Sequence, residues 1–360
     1  MKKFFSFLMV AVLLCGAVQA RSWRINSNPD AKPNFESINA AMESLEVAAG
    51  DTLYLDPGCQ LSGQTISKRV TIIGTGYHLK EGTGESMLLG TTYIHADSVK
   101  VEGCNLGYIS LGGSDITIER CKNTGGTGFK YGADVKNLKL LSCYLVAASA
   151  GTGDQVGPTN TNFSPGSGWI IEGCIIINLK IHRLTAATIA NNVLIYDARS
   201  TSSLSYYAIE DVSNSTIANN IILNTDPGYG TNDEQEPYYY KNYTIRDVAP
   251  ANNNTITHNV LSTEAAHAFA NHPDNKFIGA VPEDIFVLEG AEDAHYQIKE
   301  GSAADGYGTN GYECGAFSGQ YPYVLSGRPR FIPYIYEAVI PNQPTDGKLN
   351  VTLKIRTQNE

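Results

Sequence analysis

Three hexapeptides in the middle of the chain share one frame: Leu179-Lys180-Ile181-His182-Arg183-Leu184, Tyr207-Ala208-Ile209-Glu210-Asp211-Val212 and Tyr243-Thr244-Ile245-Arg246-Asp247-Val248. If Ile181, Ile209 and Ile245 point inward from stacked strands, the period-two rule turns His182, Glu210 and Arg246 outward, one above another. Arg183, Asp211 and Asp247 then stand beside them, and Lys180, Asp197, Arg199 and Asp226 fall near the neighbouring corner. A titratable imidazole, carboxylates and cations on one strip of surface can move protons. His182, Arg183 or Lys180 could serve as a base, and Glu210, Asp211, Asp226 or Asp247 as acids or as ligands for a charge-stabilising Ca²⁺. Tyr207, with Tyr206, Tyr238, Tyr239 and Tyr240, offers rings on which a ligand could stack, although many will simply pack. The plain counterpart is a cross-strand ion ladder on a solvated face, worth about 0.2–1 kcal/mol per pair. No His-Glu-x-x-His, Walker loop or Gly-x-Ser-x-Gly elbow competes with this strip.

The elements that must carry such a strip announce themselves as a repeat. An apolar alternation followed by Cys or Asn recurs in Val99-Lys100-Val101-Glu102-Gly103-Cys104, Ile116 to Cys121, Leu138 to Cys143 and Trp169 to Cys174. Ala187 to Asn192, Ser215 to Asn220 and Asn254 to Asn259 continue it. Alternation on both sides of a fixed corner means two short strands meeting at a bend. Stacked coils then bring the corners into columns roughly 4.8 Å apart. Asn192, Asn220 and Asn259 are expected to form a hydrogen-bonded ladder. Cys104, Cys121, Cys143 and Cys174 are expected to continue it as free buried thiols, disulfide pairing being the other outcome. Intervals between Val101, Ile118, Leu140, Ile171, Ile189, Ile217 and Ile256 range from 17 to 39 residues, which fits a β-solenoid with surface excursions. Ala147 to Gly168 and Asp226 to Lys241 are the longest such excursions, rich in loop chemistry.

Both ends read as covers. Phe35, Ile38, Ala41, Met42 and Leu45 make a helical apolar stripe ahead of a first strand at Gly50 to Leu55. Tyr334 to Ile340 and Leu349 to Arg356 alternate like the two strands of a hairpin. Lys2 and Lys3, the apolar run Phe4 to Gly16 and the small residues of Val18-Gln19-Ala20 have the form of a secretory signal peptide. Export to the periplasm, the cell surface or the medium follows as an expectation, with no membrane span in the mature chain. The formal net charge of −10 disfavours nucleic acid as a partner.

Taken together, the helix with Gly50-Asp51-Thr52-Leu53-Tyr54-Leu55, the corners Asn191-Asn192 and Asn219-Asn220, and the segment from Ser302-Ala303-Ala304 to Glu313-Cys314-Gly315-Ala316-Phe317 resemble the right-handed parallel β-helix superfamily of the pectate lyases. The likeness is to its secreted bacterial members, and the Ser302 to Phe317 segment is similar to their terminal coil. It implies an all-β, single-stranded right-handed parallel β-helix with an N-terminal capping helix and a short C-terminal β-hairpin appendage. The expected organisation is a signal peptide over 1–20, a β-helix over 21–318 and an appendage over 319–360. The resemblance also implies substrate grooves along the first strand of each coil. The paired-aspartate and Gly-His pattern of polygalacturonases and the Arg-x-Pro-x-x-Arg of pectate lyases are both missing, so no family activity transfers. A polysaccharide-binding or polysaccharide-degrading protein, lyase-like or hydrolase-like, is the expectation, with a non-catalytic surface or adhesion scaffold as its rival. Whether a metal is required, Ca²⁺ included, stays open at this point.

Overall fold

A computed structural model describes residues 20–79, 84–123, 129–131, 135–147, 155–157, 164–197, 207–226, 229–231, 237–239, 243–245, 252–262, 272–278, 282–329, 333–339, 341, 343 and 347–356. The expected signal peptide over 1–20 lies outside them except for Ala20. The described residues are mostly β, and the chain alternates between two long parallel sheets. The first sheet holds ten strands in chain order, from Ser22–Ile25 and Thr52–Leu55 to Thr216–Ala218 and Thr255–Thr257. The second holds twelve, running from Gln60–Ser62 and Met87–Ile94 to Val260–Leu261 and Lys276–Phe277. A third sheet of five strands covers only the middle of the stack: Gln155–Val156, Gly166–Ser167, Lys180–Thr185, Tyr207–Ser213 and Tyr243–Ile245. This winding is consistent with a parallel β-helix. Among the described residues no helix is long and apolar enough to cross a membrane.

Register follows from the inward column of apolar residues, because a one-residue slip would turn it to solvent. Val101, Ile118, Leu140, Ile171, Ile189, Ile217 and Ile256 are direct partners coil to coil, and all are buried. The corner that follows each is a residue in the left-handed region: Gly103, Arg120, Ser142, Gly173, Asn191, Asn219 and His258. A matching left-handed column precedes the same strands at Ser98, Asp115, Asn137, Gly168, Ala186, Asn214 and Asn253. Seven of the ten strands of the first sheet, from Lys100–Glu102 to Thr255–Thr257, are thus each bracketed by two backbone reversals five residues apart.

Directly after the second reversal comes the expected column. Cys104, Cys121, Cys143 and Cys174 are buried free thiols, as are Cys59 and Cys314. Their sulfurs donate to backbone carbonyls, as Cys121 Sγ does to Val101 O at 3.6 Å. Asn192 Nδ2 donates to Asn220 Oδ1 at 3.0 Å, Asn220 Nδ2 to Asn259 Oδ1 at 2.9 Å, and Asn259 Nδ2 to Asn275 Oδ1 at 2.9 Å. Each amide oxygen also takes the backbone N–H of the ladder residue one coil before it, and Cys174 N donates to Asn192 Oδ1 at 2.9 Å. Asn275 extends the ladder one coil beyond the repeat seen in the sequence.

Four expectations need correction. The first strand is Ser22–Ile25, paired with Thr52–Leu55, so a coil begins before Gly50. The N-terminal helix spans only Ile38–Glu43, capped by Ser37 Oγ on Ala40 N at 3.0 Å. Leu45 lies beyond its end and is fully exposed at 101%, while Ile38, Ala41 and Met42 are buried. The two long excursions carry short strands: Gln155–Val156 and Gly166–Ser167 join the third sheet, and Tyr229–Thr231 pairs antiparallel with Pro237–Tyr239.

Finally, Ser302 to Phe317 adds no strand to either long sheet among the described residues. Instead the chain from about Thr309 runs back along the left-handed corner. Thr309 N donates to Asn219 Oδ1 and Gly315 N to Asn219 O. Gln320 N then donates to Glu172 Oε1, Ser142 Oγ to Tyr321 O, and Arg120 Nη1 to Arg328 O. Gly319 and Gly327 fit there because a Cβ would meet Asn191 and Tyr77 at 2.6 and 2.1 Å. With residues from 282 onward it buries a second apolar cluster against the outer face of the second sheet, including Tyr144, Ile175, Val193, Ile221, Phe286 and Tyr323. After this strap, Tyr334–Val339 pairs antiparallel with Thr352–Arg356.

Candidate functional site

The third sheet holds the predicted strip. Ile181 pairs with Ile209 and Ile209 with Ile245, and all three are buried. His182 is the direct partner of Glu210, as the shared frame requires. Arg246 and Asp247 lie outside the described residues, so the third rung of the row is not described. The ladder skips Arg183 and Asp211, both left-handed with φ of 56° and 54°, before resuming at Leu184 and Val212. This stacked kink twists the strands and turns Asp211 outermost.

The contacts run diagonally. Lys180 Nζ donates to Glu210 Oε2 at 2.5 Å, with side chains 19% and 13% exposed. Lys180 therefore belongs to the strip itself and not to the neighbouring corner. His182 Nε2 meets Asp211 Oδ2 at 2.9 Å, with side chains 18% and 56% exposed. Burial holds the His182 imidazole below its ordinary protonation range, outweighing the upward pull of Asp211. A neutral ring facing a carboxylate donates from Nε2 and leaves Nδ1 without a proton. That Nδ1 is sealed from solvent with no hydrogen-bond partner. The reachable group is thus the Asp211 carboxylate, which His182 orients from beneath. Asp211 can accept hydroxyl hydrogen bonds or take a proton; His182 positions it.

One neighbour does not show in the strand pattern of the sequence. Gln155–Val156 pairs with Lys180 and Ile181, and Gly157 then abuts His182, where a Cβ would fall 1.7 Å from the His182 carbonyl oxygen. Only a residue without a side chain fits, and the Gly-rich composition of this excursion was the available signal. Tyr207 is half-buried and pairs with Tyr243 at the start of the same strands. Asp197 and Asp226 are brought opposite one another, but in the second long sheet, at the ends of Val193–Asp197 and Ile221–Asp226. Their side chains, together with Arg199, Tyr206, Tyr240 and the side chains of Tyr238 and Tyr239, lie outside the described residues. A Ca²⁺ site does not fit what is described: Glu210 is turned to Lys180 and Asp211 to His182, and among the described residues no three His, Cys, Asp or Glu converge.

No family model matches the chain, and no curated protein matches it. Among solved structures it is similar to one titled rhamnogalacturonan lyase, at 13% identity over 67% of this chain and 68% of that chain, with a TM-score of 0.43. So slight a likeness carries neither fold nor activity.

Proposed function

We propose that the chain is an exported glycan-binding or glycan-degrading protein, built as a single-stranded right-handed parallel β-helix whose ligand face is the strip of the third sheet. Export rests on the form of the first twenty residues, and the β-helix on the alternation of two parallel sheets. The observation that carries the ligand face is Asp211: an exposed carboxylate fixed by a half-buried neutral imidazole, beside a Lys180–Glu210 pair, on adjacent strands. Charges of both signs so close together suit an uncharged or mixed glycan better than a polyanion, as does a net charge of −10. In a degrading enzyme Asp211 is the proton acceptor, and His182 keeps it aimed.

A non-catalytic scaffold is the second reading, favoured by one contact. Lys180 and Glu210 neutralise each other, which is what a structural ion ladder does. Incubation with a panel of plant and host glycans, followed for reducing ends and for unsaturated products, separates the two. Turnover of one glycan that disappears in Asp211→Asn supports the enzyme; binding without turnover supports the scaffold; neither binding nor turnover refutes the ligand face.

A further inference from the structure

The first coil closes on a buried carboxylate. Asp51 is 1% exposed and takes three N–H groups: Arg21 N donates to Oδ1 at 2.8 Å, and Trp23 Nε1 and Ala48 N donate to Oδ2 at 2.8 and 2.9 Å. Burial pushes the Asp51 carboxyl up, and these donors more than offset it, so the group stays ionised. Among the described residues no Lys, Arg or His side chain forms a salt bridge with it. The Arg21 side chain is exposed, and its pull is the least of the influences on Asp51. Buried charges are ordinarily paired, so a cation is the partner this carboxylate lacks. The chain around it is fixed: Arg21 O accepts from Thr52 N at 2.8 Å, Ser22–Ile25 runs parallel to Thr52–Leu55, and Trp23 packs on Phe35 with ring centroids 5.5 Å apart. Ala20, just before Arg21, is exposed.

We propose that removal of the leader between Ala20 and Arg21 turns Arg21 N into an α-ammonium group that Asp51 captures, locking the first coil in the processed chain. The inference rests on the export reading above, in which Val18-Gln19-Ala20 ends a signal peptide. A processing peptidase supplies the step: water adds across the Ala20–Arg21 peptide bond, the C–N bond breaks, Ala20 leaves as a carboxylate and Arg21 N takes up the protons. The site admits a cation in one way only. Both carboxylate oxygens already face N–H donors, which repel a metal ion, and no group of three metal ligands converges among the described residues. The charge must therefore arrive on a nitrogen already in place. An indole nitrogen and the Ala48 amide cannot gain one; Arg21 N can. Its hydrogen bond to Oδ1 then becomes charge-assisted, and the uncleaved chain holds its first coil less tightly.

The test compares the full chain, exported from a bacterial host by its own leader, with the same chain carrying one glycine inserted between Ala20 and Arg21. Cleavage after Ala20 then leaves Arg21 N an amide. Ala20 already precedes Arg21 with the bond to Asp51 formed, so an added residue displaces nothing and the two products differ in charge at Asp51. Intact mass gives each N-terminus. The wild type is expected to begin at Arg21 and to melt several degrees above the insertion variant at about pH 7. A captured ammonium has its pKa raised above the unfolded value of about 7.7–8.0, so its contribution is full below that range and is lost as pH rises through the raised value. The gap should narrow accordingly, and Asp51→Asn, which keeps an acceptor for Arg21 N, should abolish it. A wild type that keeps its leader or begins elsewhere overturns the capture together with the cleavage on which it rests. One that begins at Arg21 yet melts with the insertion variant overturns the capture alone and leaves export standing. A gap that survives in Asp51→Asn overturns it as well.

Discussion

Asp211 and His182 are paired so that the carboxylate stands more exposed than the imidazole beside it, 56% against 18%. Burial makes both His182 and His78 reluctant to bind protons in the folded chain; for His78 the Lys122 charge adds to that. The sign of the consequence is fixed by linkage. Each folded imidazole protonates below the ordinary value of 6.5, so the unfolded chain binds protons first as pH falls. Stability is therefore full above that value and declines as pH drops through it. Melting temperatures at pH 7.5 and pH 5 should show a loss that shrinks in His182→Gln and in His78→Gln, and an equal loss in wild type and both variants would contradict the burial. At this scale the sequence told which side chains share the outward row, because period two is strict within a strand. It did not tell that Lys180 would cross to Glu210 and His182 to Asp211. The first is the diagonal reach of a long lysine along the outward face, and the second follows the left-handed kink at Arg183 and Asp211, which neither residue type demands on its own.

From Lys100–Glu102 onward, each coil of the first sheet is written as reversal, four residues, reversal, then a ladder residue. Left-handed backbone costs most residues about 1–2 kcal/mol, and Gly, Asn, Asp and Ser occupy most of these places. Arg120, Ala186 and His258 do not have that excuse, and the stacked neighbours and strap hold them there. The ladder itself was legible because Cys and Asn recur at a fixed offset from buried anchors. Asn275 was not, since the residues before it, His272-Pro273-Asp274, show no apolar alternation. The energetic weight of the ladder is testable. Replacing Asn220 by Leu leaves Asn192 N without its acceptor and takes one partner each from Asn192 Nδ2, which keeps Ile171 O, from Ile189 O and from Asn259 Oδ1. Each unsatisfied buried group costs about 1–3 kcal/mol. Asn220→Leu should melt at least several degrees below Lys139→Ala, a change on the outward face of the same stack. Equal melting temperatures would mean the ladder contributes nothing.

Across the whole molecule the strap is what the sequence hid. Ser302 to Phe317 looks like a closing coil because Ala303, Ala304, Cys314 and Ala316 are small and apolar. They are buried or half-buried, but against the outside of the second sheet. The strap's anchors are backbone groups on distant corners, which leave no trace in local pattern. Removing residues 333–360 should leave the melting temperature within a few degrees. Removal from 282 onward should lower it sharply or abolish soluble expression, because Tyr144, Ile175, Val193 and Ile221 lose their cover. The proposed ligand face is the third sheet, away from the strapped face. Isothermal titration of Asp211→Asn against wild type, with whichever glycan the wild type binds from the panel, tests that most directly. Binding should fall at least tenfold while the melting temperature stays within a few degrees, since the Asp211 side chain is 56% exposed and such a contact adds little stability. Unchanged affinity in that variant would contradict the ligand face.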